Sequence, residues 1–235
     1  MNGLTVIIPS RSMFNLGPCV EALNQYEPCV NVLVIDDTPK LSLPIRWKDN
    51  RAYNFDVGPS TTFERTKKVE GFHPFNFARN CNIGIRAAAA NDVILLNDDA
   101  LLESLFGFTA MQREAEAHPE YGIIGATTNL TGQPLQWRLN VGLREVPWFA
   151  FICVLIPRRT IEHVGMLDER YSDYGAEDRD YCQMVKAAGL KCAVYDHCFV
   201  DHSKLTSTYR GSPTGQVSRE KNKAMFHEKW PGVEF

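Results

Sequence analysis

The sequence predicts an α/β fold in which helices flank a mostly parallel sheet. Three short apolar runs, at residues 4–8, 32–35 and 93–96, have the form of strands that are covered on both faces. Helical patterns separate the runs, and this alternation is typical of parallel sheets with right-handed crossovers. Polar residues follow each run, and ligands of such sheets bind beyond the carboxyl ends of the strands. A binding cleft is therefore expected there.

Three helices are predicted in the first half of the chain. Asn15 can cap a first helix that carries Pro18 in its first turn. A second helix begins near Asn76, where small and apolar residues recur at spacings of three and four. A third apolar stripe at helical spacing consists of Leu101, Leu105, Phe108, Met111 and Ala115.

The second half of the chain is less regular. Residues 121–127 are predicted to form a strand, and residues 129–147 form a polar excursion. Residues 149–156 are the longest β-like run, and a later helix is expected to end at Gly189.

Composition limits the possible class of protein. The 235 residues are 44% hydrophobic, which is enough to bury the core of one large domain. The formal net charge of −3 argues against a protein that clamps a nucleic-acid backbone. A basic stretch at residues 204–229 could face phosphates, although a solvated face is the commoner explanation of such a stretch.

The seven scattered cysteines include no Cys-x-x-Cys pair, which argues against a structural zinc site. They are expected to be reduced thiols in the core of a cytoplasmic protein. No signal peptide and no apolar run of membrane-spanning length is recognisable, so a soluble protein is expected.

The most informative segment is Asn97-Asp98-Asp99, which follows the third apolar run directly. Two adjacent carboxylates at a strand end repel each other unless a cation or a donor-rich ligand lies between them. Mg²⁺ and Mn²⁺ take oxygen ligands and often share them with phosphates, which suggests a nucleotide-linked substrate. Alternatively, Asp98 or Asp99 only caps a following helix.

Two later segments add candidate groups. Glu177 and Asp178 follow Gly175 at a predicted helix start, where they are either first-turn acids or a general base opposite a metal–phosphate site. His202 follows an apolar run and could complete the coordination begun by Asp99. His197 competes for this role, and sequence spacing leaves the choice open.

In order and spacing, these segments resemble the motifs of the family 2 glycosyltransferases with a GT-A fold. The resemblance covers about residues 4–209, and residues 226–230 also resemble the tail of many members. The matching segments are residues 6–11, 34–37, 77–80, 95–99, 151–158, 165–169, 175–180 and 202.

The resemblance implies one GT-A domain over residues 1–235, with a Rossmann-like sheet and a smaller mixed region on the acceptor side. Its nucleotide-binding half would span about residues 1–100 and its acceptor and catalytic half about 101–205. A tail would span about 206–235. Within it, the stretch at 207–215 is rich in Ser, Thr, Gly and Pro and could close over the donor as a lid or equally be an ordinary loop.

The resemblance also implies roles for residues that contact the nucleotide sugar. Pro9 and Arg11 would line the nucleotide pocket, Asp37 would bind the base, and Arg79 would lie near the nucleotide. Asp98 would bind the ribose. Asn97 replaces the first acid of the family's Asp-x-Asp motif and can still bind a ribose hydroxyl.

For catalysis, the resemblance implies Mn²⁺ or Mg²⁺ held by Asp99 and His202. Asp178 would be the general base of an inverting transfer, and Glu177 would orient the acceptor hydroxyl. Two further pairs are candidates: Lys204 and Arg210 for the diphosphate or the lid, and Trp137 and Trp148 for stacking on an acceptor sugar. Each aromatic could equally be an ordinary core or rim residue.

The expected donor is a nucleotide sugar, with UDP favoured over GDP and dTDP. The acceptor is expected to be a glycan or another hydroxyl-bearing molecule, and a nucleic-acid acceptor stays open. The alternatives are a retaining transferase and a catalytically silent nucleotide-sugar binding or scaffold protein of the same fold. A sugar nucleotidyltransferase is less favoured, because no Gly-rich basic loop follows the first strand.

Overall fold

The computed structural model describes residues 2–37, 46–48, 51–53, 65–173, 175–205 and 213–235. The strands are β1 (Leu4–Ser10), β2 (Asn31–Asp36), β3 (Arg46–Lys48), β4 (Arg51–Tyr53), β5 (Thr66–Glu70), β6 (Asp92–Leu96), β7 (Leu101–Leu102), β8 (Tyr121–Thr128), β9 (Leu143–Val146), β10 (Cys153–Ile156) and β11 (Lys191–Asp201). The helices are α1 (Met13–Tyr26), α2 (Phe77–Ala87), α3 (Gly107–Ala117), α4 (Arg158–Val164), α5 (Glu177–Ala187) and α6 (Pro213–Lys229).

These strands form one continuous sheet in the order β3-β4-β5-β2-β1-β6-β10-β8-β11-β7, and β9 pairs with β11. The four neighbours β5, β2, β1 and β6 run parallel; the apolar runs predicted β2, β1 and β6, and β5 was not predicted. Strand β10 runs antiparallel to β6 and β8, so the second half of the sheet is mixed. The predicted α/β fold class is confirmed, and the ends of β1, β2 and β6 lie at one edge of the sheet.

Two apolar layers cover the two faces of this sheet. Val6 and Ile8 of β1 belong to the layer that includes α1 and α3, whereas Ile7 belongs to the opposite layer with α2 and α5. Helix α2 lies so close to β1 that a Cβ atom on Gly84 would come within 2.4 Å of Cγ2 of Ile7. Both faces of the central strands are buried, which explains their continuous apolar sequence.

Three local expectations were wrong. Helix α1 begins at Met13 after Ser12, so Asn15 is not its cap and Pro18 lies inside the helix. Leu101 and Leu102 form β7 and pair with the end of β11, and helix α3 starts only at Gly107. Asp98 and Asp99 therefore lie in the turn between two strands and cap no helix.

The predicted 149–156 run is also shorter as a strand, because only Cys153–Ile156 pairs with β6 and β8. All seven cysteines are free thiols, and only Cys29 is exposed. Among the helices in the described ranges, none combines the length and the apolar character that a membrane span requires.

Candidate active site

A cavity of about 360 Å³ opens at the carboxyl ends of β1 and β6. The start of the 129–147 excursion, residues 148–152 and the N-terminus of α5 complete its walls. The predicted site residues that line it are Pro9, Arg11, Asn97, Asp98, Asp99, Trp148, Glu177, Asp178 and His202.

Asp99 and His202 form a buried pair in this cavity. Nε2 of His202 lies 3.0 Å from Oδ1 of Asp99, and Nδ1 lies 2.8 Å from the carbonyl oxygen of Leu130. Because a carbonyl only accepts hydrogen bonds, Nδ1 carries a proton and Nε2 is directed at the carboxylate. The structure thus brings His202 to Asp99, whereas His197 is exposed and packs its ring 5.3 Å from that of Tyr195.

This pair fits a divalent cation. A neutral imidazole nitrogen and a carboxylate oxygen are both electron-pair donors, so their close approach requires a proton or a cation between them. One nitrogen and one oxygen donor suit Mn²⁺. Within the described ranges, no group of three or more His, Cys, Asp or Glu side chains is placed to hold a metal. Ligand oxygens or water would therefore supply the other coordination positions.

Asp98 is held beside the pair by the end of β1. The hydroxyl of Ser10 donates to Oδ2 of Asp98 at 2.6 Å. Burial raises the pKa of Asp98 to about 6, the charge of Asp99 adds to this, and hydrogen bonds from Ser10 and Asn15 oppose it. The sequence reasoning assigned Asn15 to a helix cap and missed its hydrogen bond to Asp98.

A second pair of acids, Glu177 and Asp178, occupies another wall at the N-terminus of α5. The chain reaches this point through Asp173, Gly175 and Ala176 with φ values of +57°, +96° and +82°. Left-handed backbone is costly for residues with a Cβ atom and concentrates at functional sites. The turn starts the helix at Glu177 and brings both carboxyl groups to the cavity.

The acid pair has an unusual electrostatic environment. Burial raises the pKa of Glu177, and the charge of Asp178 raises it further. Burial also raises the pKa of Asp178, against the opposing hydrogen bond from the Arg179 N–H, which lies 2.7 Å from Oδ1. The pair therefore keeps a proton at a higher pH than two ordinary carboxyl groups would.

Helix α6 holds the turn that carries these acids. The Ser218 hydroxyl donates to Oδ2 of Asp173 at 2.7 Å, and Nδ2 of Asn222 donates to the carbonyl oxygen of Gly175 at 2.9 Å. Farther along, Nζ of Lys229 lies 2.8 Å from Oδ2 of the buried Asp180 in α5. Trp230 donates to the other oxygen of Asp180 at 2.7 Å. The position of the acids thus depends on a helix about forty residues later in the chain.

Asp37 and Arg79 lie near the carboxyl end of β2 and do not line the cavity. Oδ1 of Asp37 is 3.3 Å from Nδ1 of His73, and burial raises the pKa of this carboxyl group. The guanidinium of Arg79 lies 4.3 Å from the ring centre of Phe72 and donates to its carbonyl oxygen at 3.0 Å. Asp37 neighbours β1, because its N–H donates to the carbonyl of Ser10 at 2.9 Å, and the charge of Arg79 lowers the pKa of Asp37.

Trp137 and Lys204 also lie off the cavity. Trp137 is half exposed, and its carbonyl accepts a hydrogen bond from Arg144 at 2.7 Å. Lys204 forms ion pairs with Glu103 and with Asp201. Arg210 lies outside the described residues, as does most of the predicted 207–215 lid.

Arg179, Arg219 and Phe235 are among the cavity residues that sequence reasoning missed. Arg179 directly follows Asp178, and Arg219 belongs to the basic stretch, so each had an indirect signal. Phe235 had none, because nothing in its local sequence indicates that it returns to a cavity.

Comparisons with known proteins relate the chain to others by structure alone. No family model and no curated protein matches the sequence. A crystal structure of GalNAc-T7 with UDP, GalNAc and Mn²⁺ superimposes with a TM-score of 0.74 at 15% identity, covering 98% of this chain and 48% of that chain. The mannosyltransferase PcManGT from Pyrobaculum calidifontis, in complex with GDP-Man and Mn²⁺, gives a TM-score of 0.68 at 14% identity.

The second match covers 100% of this chain and 65% of the mannosyltransferase. The chain therefore spans less than two thirds of either glycosyltransferase. At these identities the likeness shows a GT-A-like fold.

Proposed function

We propose that the protein is a glycosyltransferase that moves a sugar from a nucleoside diphosphate sugar, with UDP favoured, to an acceptor hydroxyl with inversion. One observation carries the proposal: the Asp99–His202 pair and the Glu177–Asp178 pair line the same cavity. A transfer of this kind needs a charged site for the leaving diphosphate and a base for the acceptor within one pocket. The two similar structures, which contain UDP or GDP-Man together with Mn²⁺, support this assignment.

The donor would bind across the ends of β1, β2 and β6. In this arrangement Asp37 accepts from the base, Asp98 and Asn97 contact the ribose, and Pro9 and Arg11 line the pocket. Arg79 lies beside Asp37 at the nucleotide end.

Asp99 and His202 would hold Mn²⁺ or Mg²⁺. When bound, the ion stabilises negative charge on the departing diphosphate. The guanidinium of Arg11 lies in the same cavity and adds positive charge for the phosphates. Lys204 would have to leave Glu103 and Asp201 to contribute, and Arg210 is the other candidate from the predicted lid.

Asp178 would act as the general base. Its carboxylate takes the proton of the acceptor hydroxyl while the hydroxyl oxygen bonds to the anomeric carbon and the bond from that carbon to the phosphate oxygen breaks. The raised pKa of Asp178 makes it a stronger base than an ordinary aspartate. Glu177 keeps its proton at a higher pH and would donate a hydrogen bond that orients the acceptor.

Calorimetric titration with UDP, GDP and dTDP, each with Mn²⁺ and with chelator, tests the proposal. We expect one nucleotide to bind, and its affinity to fall at least about tenfold with chelator or in Asp99→Ala. His197→Ala is the matched control and should bind normally, because His197 lies outside the cavity. Binding of no nucleotide would reject the proposal, and binding without any turnover would favour the silent binding protein.

A further inference from the structure

Three side chains form a continuous surface beside the acid pair, which we call the aromatic wall: Trp148, Arg179 and Phe235. The guanidinium of Arg179 lies 3.9 Å from the ring centre of Trp148 and 5.1 Å from that of Phe235. All three residues line the cavity. Arg179 is therefore flanked by two aromatic rings, an arrangement that fixes its orientation.

Phe235 is held firmly although it lies far from the rest of the wall in sequence. Its ring packs edge-on against Phe226 with the ring centres 5.3 Å apart, and Phe226 is completely buried. Nη2 of Arg179 donates to the carbonyl oxygen of Glu234 at 2.6 Å. Phe235 nevertheless keeps 40% of its surface exposed. A fixed aromatic ring with an open surface in a cavity can act as a platform for a ligand.

The wall shares its cavity with the groups that would act on an acceptor, Glu177 and Asp178. Arg179 lies close enough to Asp178 that the charge of each shifts the pKa of the other. Gln133 and Asp173 add polar groups to the same cavity. Apolar ring surface next to several hydrogen-bonding groups matches a sugar ring, which has a C–H face and hydroxyl edges.

We propose that the aromatic wall is the acceptor subsite and that it selects a saccharide, whose C–H face rests on Phe235 while one hydroxyl points to Asp178. This inference rests on the proposed function, because it uses Asp178 as the base. It narrows the acceptor from any hydroxyl-bearing molecule to a saccharide and assigns a binding role to Phe235.

Saturation-transfer NMR with simple acceptor probes provides the test. The wild-type protein, loaded with UDP and Mn²⁺, is mixed with methyl glycosides of galactose, mannose and N-acetylglucosamine, and in a separate arm with a short Ser/Thr peptide. We expect at least one glycoside to bind. Its affinity should fall about fivefold or more in Phe235→Ala and recover in Phe235→Tyr. Leu105→Ala, which truncates an exposed apolar side chain outside the cavity, should bind like the wild type.

The outcomes separate the two proposals. Normal UDP binding with no glycoside signal, or glycoside binding that is unchanged in Phe235→Ala, would overturn the acceptor subsite and leave the donor site intact. Binding of the peptide in place of the glycosides would overturn the saccharide class. Failure of the wild type to bind any nucleotide would instead overturn the proposed function.

Discussion

The two sides of the cavity are built in different ways. On one side, Asp98, Asp99 and His202 extend from the ends of strands in a continuous sheet, and hydrogen bonds between those strand ends hold them. On the other side, Glu177 and Asp178 sit on a helix that follows left-handed backbone, and contacts from α6 hold that backbone. The first arrangement is a product of the sheet, and the second depends on the docking of a single helix.

This difference has a consequence for stability and function. Parallel strands with both faces buried are among the most rigid parts of a fold, so we expect the side proposed to bind metal and nucleotide to tolerate changes elsewhere. Burial raises the pKa values of Glu177 and Asp178, and the backbone before them is strained. Both features lower the stability of the fold around the proposed acceptor side. Substitutions on the acid-pair side should therefore change turnover and stability while nucleotide binding on the other side stays the same.

The largest expected effect follows from Asp178→Asn, which should lower turnover about 10²–10⁴-fold because the variant lacks the proposed general base. Nucleotide binding should be unchanged, since it belongs to the other side. UDP release in the presence of the acceptor, together with the nucleotide Kd, measures both quantities. Glu162→Gln, an exposed carboxyl group on α4, is the control. An Asp178→Asn variant as fast as the wild type would remove the assignment of the base.

Lys229→Met tests whether α6 holds the acceptor side. It leaves the carboxylate of Asp180, which is only 1% exposed, without its cationic partner. We expect the free energy of unfolding to fall by about 3 kcal/mol, as for a broken buried ion pair. Urea denaturation measures it.

Lys229 pairs with both Asp168 and Asp180. Lys204→Met provides the matched control, because Lys204 likewise pairs with two acids but lies on the surface. Its midpoint in urea should stay at the wild-type value. Equal loss of stability in both variants would mean that the α6 contacts add nothing particular to the fold.

Glu177→Gln should be more stable than the wild type at high pH, and the difference in unfolding free energy should grow as pH rises. In the folded state the pKa of Glu177 is above its ordinary value of 4.5, so the folded state binds more protons than the unfolded state above that pH. Wild-type stability therefore falls as pH rises through the folded pKa, and a neutral glutamine removes this loss.

We expect a gain of about 1 kcal/mol near pH 9 and almost none near pH 4, measured as unfolding free energy across pH. The exposed Glu145, paired with Lys191, supplies the control variant Glu145→Gln. A Glu177→Gln gain that is the same at both pH values would contradict the raised pKa.

The smallest expected effect compares two glycines with similar backbone. Gly175 and Gly142 have φ values of +96° and +87°, so alanine at either should cost about 1 kcal/mol through the same strain. A Cβ atom at Gly175 would also lie 3.2 Å from Cγ of Arg219, whereas one at Gly142 meets nothing within 4 Å. We expect equal shifts in Tm and a loss of turnover only in Gly175→Ala. A loss of turnover in both variants would mean that backbone strain in general, and not the position of Gly175 at the cavity, lowers turnover.

The sequence by itself determined three of the parallel strands, β1, β2 and β6, and the residues at their ends. A strand buried on both faces is expected to be a continuous apolar run. The local sequence therefore predicts β1, β2 and β6 without knowledge of the strands that pair with them. The polar residues after these strands could be identified as well, because each apolar run ends at them. Asp98 and Asp99 were found in this way, and the family resemblance added the roles that are proposed for them.

Only the tertiary structure decided between candidates that local sequence left equal. His197 lies where the pairing of β11 with β8 is irregular and is exposed, whereas His202 lies beyond the end of β11 and reaches Asp99. Leu101 and Leu102 became a strand because the end of β11 offers them a pairing partner. Trp148 lines the cavity and Trp137 does not, and Phe235 lines it after a separation of 56 residues from Arg179. Long-range pairing and docking bring these groups together, and neither leaves a periodic signal in the local sequence.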